Sequence, residues 1–175
     1  MIKPYNSHSK YFFIMRGIPG SGKSTFVAKY LKNISNVVES DVFRQNLMGL
    51  DENGKINQEN GQAVWYEIDN YINRILYSCE SITLDATNIS NYLLRKYQRI
   101  AEKYGYEFII IDFSNIPLEK ALQQNLNRIF SKQVSNEVIE RMYRQLIKEN
   151  AKLQFETFTK DEFLKWLGIK EWLAV

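Results

Sequence analysis

A glycine-rich stretch at positions 17–25 has the residue types and spacing of a phosphate-binding loop. Its sequence, GIPGSGKST, matches the pattern G-x-x-x-x-G-K-[ST] at every fixed position. Glycines let backbone N–H groups close around phosphate oxygens, and the N-terminus of the following helix adds partial positive charge. The stretch therefore predicts that the chain binds a nucleoside triphosphate. The predicted contacts are Gly17, Gly20, Ser21, Gly22, Lys23, Ser24 and Thr25.

Two side chains of this loop can also serve phosphate chemistry. Lys23 is placed to reach the β- and γ-phosphates, and the Ser24 hydroxyl is placed to bind Mg²⁺. The alternative is a glycine turn before an ordinary helix. The context favours the functional interpretation, because an apolar run of strand type at 11–15 precedes the loop and apolar residues recur at helical spacing after it.

A carboxylate also follows the second predicted strand. Asp41 lies just past the strand at 37–39 and near the start of a predicted helix, so Arg44 falls on the same helix face. In this position Asp41 could accept the proton of an attacking hydroxyl, and Arg44 could hold a phosphate by two parallel hydrogen bonds. The alternative is an Asp favoured by the helix dipole with a surface Arg as its partner. Position alone leaves both open.

The third predicted strand ends on Asp85, followed by Thr87 and Asn88. An acidic residue beside a phosphate loop commonly supports Mg²⁺, so Asp85 is predicted to hold the metal together with Ser24. The alternative is a turn, since Asp, Thr and Asn readily bond their own backbone.

Helical periodicity lapses around Arg128 and Lys132, between two clear helical segments. An Arg that closes over a transferring phosphoryl group from such a lid contributes strongly to catalysis, so Arg128 is a candidate catalytic and phosphate-binding residue. The alternative is a solvated basic loop.

The elements that must position these residues alternate between strand and helix. Strands are predicted at about 11–16, 37–39, 81–85 and 108–111, with helical patterns between and after them. This alternation predicts an α/β protein: a three-layer P-loop NTPase fold with a mostly parallel sheet, flanking helices and a helical lid. Ligands of such sheets lie beyond the carboxyl ends of the strands, where Lys23, Asp41 and Asp85 fall. The unbroken apolar run at 108–111 predicts a central strand covered on both faces.

Composition predicts one globular domain over residues 1–175, with a core at about 11–150 and a helical tail at about 151–175. The single cysteine and the lack of a signal-like or membrane-spanning segment favour a cytoplasmic protein. The net charge of +3 permits a polyanionic partner without requiring one. Four tail aromatics fit either core or interface and leave the oligomeric state open: Phe155, Phe158, Trp166 and Trp172.

Several segments, taken in order, resemble the kinase domain of phage-type polynucleotide 5′-hydroxyl kinases. They are the loop at 17–25, SDVFRQ at 40–45, Thr87 with Asn88, NLNR at 125–128 and VIERMY at 138–143. The likeness covers roughly residues 11–150. Its discriminating part is the Asp41-x-x-Arg44 segment at its distance from the loop.

The resemblance implies that Asp41 activates a 5′-hydroxyl, that Arg44 contacts the acceptor's adjacent phosphate and that Arg128 stabilises the donor phosphates. Two departures stand out. Ala86 separates Asp85 from the Thr-Asn pair, whereas the phage enzyme's acid directly precedes it, and this chain has no room for that enzyme's C-terminal phosphatase domain.

The sequence therefore favours an ATP- and Mg²⁺-dependent kinase acting on the 5′-hydroxyl end of RNA or DNA in nucleic-acid repair. A P-loop kinase for a small molecule or a nucleotide sugar is the first alternative, because Asp41 would serve as base there too. A nucleotide-binding switch or ATPase module is the second, although a switch needs no acceptor base.

Overall fold

Four short apolar segments pair in parallel to form the sheet in this computed structural model, which describes residues 4–169. The strands are β1 (Tyr11–Arg16), β2 (Asn36–Glu39), β3 (Ile82–Asp85) and β4 (Glu107–Asp112). Their order is β2-β3-β1-β4, so the chain crosses over the sheet between successive strands. The predicted α/β fold with a parallel sheet is confirmed.

The helices follow the strands as the periodicity predicts. They are α1 (Lys23–Phe26) continued by a π-helical turn (Val27–Leu31), α2 (Ser40–Met48), α3 (Gly61–Tyr77), α4 (Asn91–Lys103), α5 (Leu118–Leu126), a 3₁₀ turn (Phe130–Lys132), α6 (Asn136–Asn150) and α7 (Lys160–Trp166).

Alternate side chains of β1 bury opposite faces of the sheet, which gives the three layers. Phe12 and Ile14 pack with residues of α3 and α4 on one face. Phe13 and Met15 pack with residues of α1 and α7 on the other. A third cluster, around Ile18, joins α5 and α6 to the carboxyl edge of the sheet. Helices thus pack on both faces of the sheet and beside its carboxyl edge.

The prediction that 108–111 forms a central strand is wrong. β4 is an edge strand of the four-stranded sheet and pairs only with β1 among the strands of residues 4–169. The Phe158 N–H donates to Ile110 O at 2.9 Å and the Asp112 N–H donates to Phe158 O at 2.8 Å, so a later segment covers its outer edge. With both faces and this edge covered, β4 carries the same apolar run as a central strand.

The aromatics of the C-terminal tail belong to the two main cores. Phe155 packs against the α3–α4 side, and Phe158 and Trp166 pack against the α1–α7 side. Trp172 lies outside the described residues.

Candidate active site

The phosphate-binding loop joins β1 to α1 and is shaped by close contact with α5. A Cβ atom at Gly20 would lie 2.1 Å from the carbonyl oxygen of Ala121, so only glycine fits there. Gly22 has a φ of 94°, in the left-handed region that favours glycine, and directly precedes α1. The Gly17 N–H donates to Thr87 O at 2.9 Å, which ties the loop to the turn after β3.

Lys23 folds back onto its own loop. Its Nζ donates to Ile18 O at 2.8 Å and to Ser21 Oγ at 3.3 Å, and the residue is only 7% exposed. Burial lowers the pKa of Lys23 from 10.5 to about 8; Asp85 opposes this shift and Arg128 adds to it. The ammonium group therefore lies where added negative charge, such as that of phosphates, would be strongly stabilised.

Asp85 lies at the end of β3 beside the first turn of α1. Its carboxylate accepts a hydrogen bond from the Ser24 hydroxyl, so the two predicted metal ligands are brought together. Burial raises the pKa of Asp85, and Glu39 and Asp41 raise it further, while Lys23 and Ser24 oppose the rise. A cation would relieve this concentration of negative charge.

The donor set fits Mg²⁺. A hydroxyl and a carboxylate are the hard oxygen ligands that Mg²⁺ uses alongside substrate phosphates and water. Within residues 4–169 no group of three or more His, Cys, Asp or Glu side chains is arranged to hold a metal ion. A metal at Ser24 and Asp85 would accordingly take its remaining ligands from nucleotide and solvent.

The Thr87–Asn88 pair serves the backbone of the site. The buried Asn88 side chain donates to Met15 O at 2.8 Å, while Thr87 accepts the Gly17 N–H through its carbonyl. Both bonds hold the turn after β3 against the end of β1 and the phosphate-binding loop.

Asp41 and Arg128 meet across the site. Asp41 is in the first turn of α2, and its Oδ2 lies 3.1 Å from Arg128 Nη2. Arg44, the i+3 partner that the sequence offered, instead donates from Nη1 to Glu59 O at 3.4 Å. Arg128 is also close enough to Lys23 to contribute to its lowered pKa. The ion pair therefore joins the phosphate-loop side of the site to the α2 side.

We call residues 127–135, between α5 and α6, the lid. The buried Asn125 side chain donates to Val134 O at 2.7 Å and accepts from Val134 N at 3.1 Å, which closes the lid at its base. Lys132 Nζ lies 3.3 Å from Glu39 Oε2 at the end of β2. The Ile56 N–H donates to Ser131 O at 2.9 Å, so the loop after α2 also touches the lid.

Sequence reasoning missed two residues that shape the site. The buried Arg16, immediately before the loop, pairs through Nη1 with Asp112 at 3.1 and 3.2 Å and fixes the ends of β1 and β4. Glu39 ends β2 directly opposite Asp85 on β3. The rule that selected Asp41 and Asp85, a carboxylate at the carboxyl edge of the sheet, could have found Glu39 as well.

Comparison with known proteins identifies the family. A protein-family model described as an AAA domain matches residues 12–148. The chain belongs to this family. One curated relative, a protein assigned as a bifunctional polynucleotide kinase/RNA ligase in Autographa californica nuclear polyhedrosis virus, is 24% identical, and the match covers 81% of this chain and 22% of the relative. This agreement confirms the resemblance to polynucleotide kinase domains.

Solved structures confirm the predicted P-loop NTPase fold. A chain of the Pnkp1/Rnl/Hen1 RNA repair complex superposes with a TM-score of 0.67 at 24% identity, over 85% of this chain and 48% of that one. A gluconokinase from Sinorhizobium meliloti 1021 has a TM-score of 0.55 at 13% identity, over 85% of this chain and 81% of that one. This chain thus spans about half of the repair-complex chain and about a fifth of the viral relative. None of the helices in residues 4–169 combines the length and apolarity needed to cross a membrane.

Proposed function

We propose that this chain transfers the γ-phosphate of ATP, with Mg²⁺, to the 5′-hydroxyl end of RNA or DNA in nucleic-acid repair. The observation that carries the proposal is the 3.1 Å contact between Asp41 and Arg128. A carboxylate suited to an acceptor hydroxyl faces a cation suited to donor phosphates, at the edge where the phosphate loop lies. A module that only binds nucleotide has no use for this carboxylate.

In the proposed reaction the 5′-hydroxyl oxygen attacks the γ-phosphorus. The bond from that phosphorus to the β–γ bridging oxygen breaks, ADP leaves and Asp41 accepts the hydroxyl proton. Lys23 leaves the Ile18 carbonyl and donates to phosphate oxygens instead. Arg128 likewise leaves Asp41 and binds the phosphate oxygens. Ser24 and Asp85 would hold Mg²⁺, which would neutralise part of the phosphate charge. Catalysis rests on positioning and charge stabilisation, with no covalent enzyme intermediate.

The deciding experiment is label transfer from γ-labelled ATP with Mg²⁺. We expect 5′-hydroxyl RNA or DNA oligonucleotides to be labelled, and the same oligonucleotides bearing a 5′-phosphate to remain unlabelled. A panel of sugars and nucleosides is tested in the same assay, because the likeness to a gluconokinase favours a small-molecule acceptor as second candidate. Labelling of a sugar without labelling of either oligonucleotide would select that second candidate.

Arg44 provides a finer test of the acceptor. Its contact with Glu59 O is long, at 3.4 Å, so the guanidinium is available to a phosphate next to the reacting hydroxyl. We expect Arg44→Ala to raise the KM of a 3′-phosphorylated nucleoside by about 10- to 100-fold, because a hydrogen bond to a charged group contributes that much to binding. The KM of the bare nucleoside should stay unchanged.

The control is Arg99→Ala, which removes an exposed arginine from α4. Equal impairment of both acceptors by Arg44→Ala would show that Arg44 makes no contact with that phosphate.

A further inference from the structure

The two cations of the lid pair with two carboxylates at the junction of β2 and α2. Arg128 contacts Asp41 at 3.1 Å and Lys132 contacts Glu39 at 3.3 Å. Within the proposed mechanism only the first pair must break, because Arg128 is needed at the phosphates and Asp41 at the hydroxyl. The second pair can persist throughout the reaction.

Hydrogen bonds within the lid make Arg128 and Lys132 parts of one turn. The Gln133 side chain donates to Arg128 O at 3.0 Å and to Leu126 O at 3.1 Å. The Lys132 N–H donates to Ile129 O at 2.9 Å, which closes the 3₁₀ turn between the two cations. A contact that fixes Lys132 therefore restricts Arg128 as well.

Glu39 is placed to fix Lys132 from the rigid part of the molecule. It is the last residue of β2 and is in register with Asp85 on β3. Glu39, Asp41 and Asp85 are close enough for both of the other carboxylates to raise the pKa of Asp85. Lys132 offsets the charge of Glu39 within this group, so the lid cation and the strand carboxylate each stabilise the other.

We propose that Glu39 is a positioning residue that, through Lys132, holds the lid so that Arg128 stays over the phosphate loop after it has left Asp41. The proposal rests on the proposed transfer from ATP. It gives Glu39 no contact with either substrate. The Glu39–Lys132 pair keeps the lid closed while the Arg128–Asp41 pair is broken.

The size of the effect follows from the exposure of the pair. The side chains of Lys132 and Glu39 are 25% and 38% exposed, so solvent screens their attraction. We expect Glu39→Gln to lower kcat by about two- to fivefold, the range of partly exposed ion pairs, with little change in the acceptor's KM. Amide hydrogen exchange at 130–134 should accelerate by a similar factor, because the lid opens more often.

The experiment compares four proteins: wild type, Glu39→Gln, the charge-swapped double variant Glu39→Lys/Lys132→Glu, and Glu140→Gln as matched control. Glu140 pairs with Arg144 at 3.8 Å on the surface of α6, so its substitution removes a longer, more exposed ion pair outside the lid. We expect the double variant to recover wild-type lid exchange, whereas its kcat stays low because a lysine at position 39 adds positive charge beside Asp85. The control should match wild type in both measurements.

Lid exchange and affinity for a non-hydrolysable ATP analogue are measured without any acceptor. If no oligonucleotide is phosphorylated, the proposed function fails, yet exchange in the four proteins still decides whether Glu39 holds the lid. Unchanged exchange in Glu39→Gln would overturn the positioning role, as would failure of the swap to restore it. A raised Mg²⁺ requirement with normal lid exchange would also overturn it, because Glu39 would then act at the metal.

Discussion

Burial of the Lys23 ammonium group opposes the stability of the folded state. Its pKa falls from 10.5 to about 8 on folding, mainly through desolvation. At about pH 7 the group is charged in both states, so the folded state carries the whole cost, about 3 kcal/mol at most. Between about pH 8 and 10.5 the folded state loses its proton first, and the stability of the wild type rises with pH.

We therefore expect Lys23→Met to abolish transfer and to raise the free energy of unfolding by about 1–3 kcal/mol at about pH 7. Urea unfolding at about pH 7 and about pH 10 measures this, and the advantage of the variant should shrink at the higher pH. A variant less stable than wild type at both pH values would mean that the bonds to Ile18 O and Ser21 Oγ outweigh the desolvation cost.

Asp41 is expected to affect chemistry and nucleotide binding in opposite directions. Asp41→Asn removes the proposed base, so turnover should fall by about 10²- to 10⁴-fold. The same change releases Arg128 from its partner, so affinity for an ATP analogue should stay equal or rise up to about fivefold. Steady-state kinetics and fluorescent-nucleotide titration measure the two effects.

Asp161→Asn, at an exposed position in the first turn of α7, is the control for Asp41→Asn. A tenfold loss of nucleotide affinity in Asp41→Asn would contradict the proposed competition between Asp41 and the phosphates for Arg128.

At the scale of elements, a buried amide holds the base of the lid, beside the two ion pairs that hold its cations. Asn125 is 2% exposed, and its side chain forms two hydrogen bonds with the backbone of Val134. Asn125→Ala leaves the Val134 N–H and C=O without these partners, at a local cost of about 1–3 kcal/mol. We expect faster amide exchange across 127–135 and a lower kcat, since Arg128 and Lys132 both lie on this segment.

Asn127→Ala is the matched control, because Asn127 is exposed just beyond α5. Hydrogen exchange followed by mass spectrometry separates the two variants. Equal exchange in both would show that the lid is held by its ion pairs and not by Asn125.

Local sequence patterns predicted the strands and helices, but not which of them pack or pair with each other. The glycine loop, the strand–helix alternation and the carboxylates at strand ends are short-range features, so the sequence alone predicted them. β4 is at the edge because β3 takes the other side of β1, and Phe158, which follows α6, covers its outer edge. No local pattern reports either fact. Likewise Asp41 pairs with Arg128, 87 positions away, and Glu39 pairs with Lys132, 93 positions away.

At the scale of the whole molecule, the segment after α6 completes both the sheet and one of its layers. The family match ends at residue 148, yet Phe158 covers the edge of β4, and Phe163 and Leu164 of α7 are buried on the α1 face. We propose that the predicted core and tail fold as one domain, in which the tail is needed for the stability of the strand that carries the phosphate loop.

Phe163→Ala tests this dependence. Phe163 is fully buried, with its ring centroid 5.6 Å from that of Phe13 on β1 and 5.9 Å from that of Phe26 on α1. Truncating a buried Phe costs about 3–5 kcal/mol, so urea should unfold the whole domain in one transition at a clearly lower concentration. Ile147→Ala, at a position 53% exposed on α6, should unfold close to wild type. Phe163→Ala could instead loosen only α7 and leave nucleotide affinity and the main unfolding transition unchanged. That result would show that the tail folds separately, because β1 would be stable without the packing of α7.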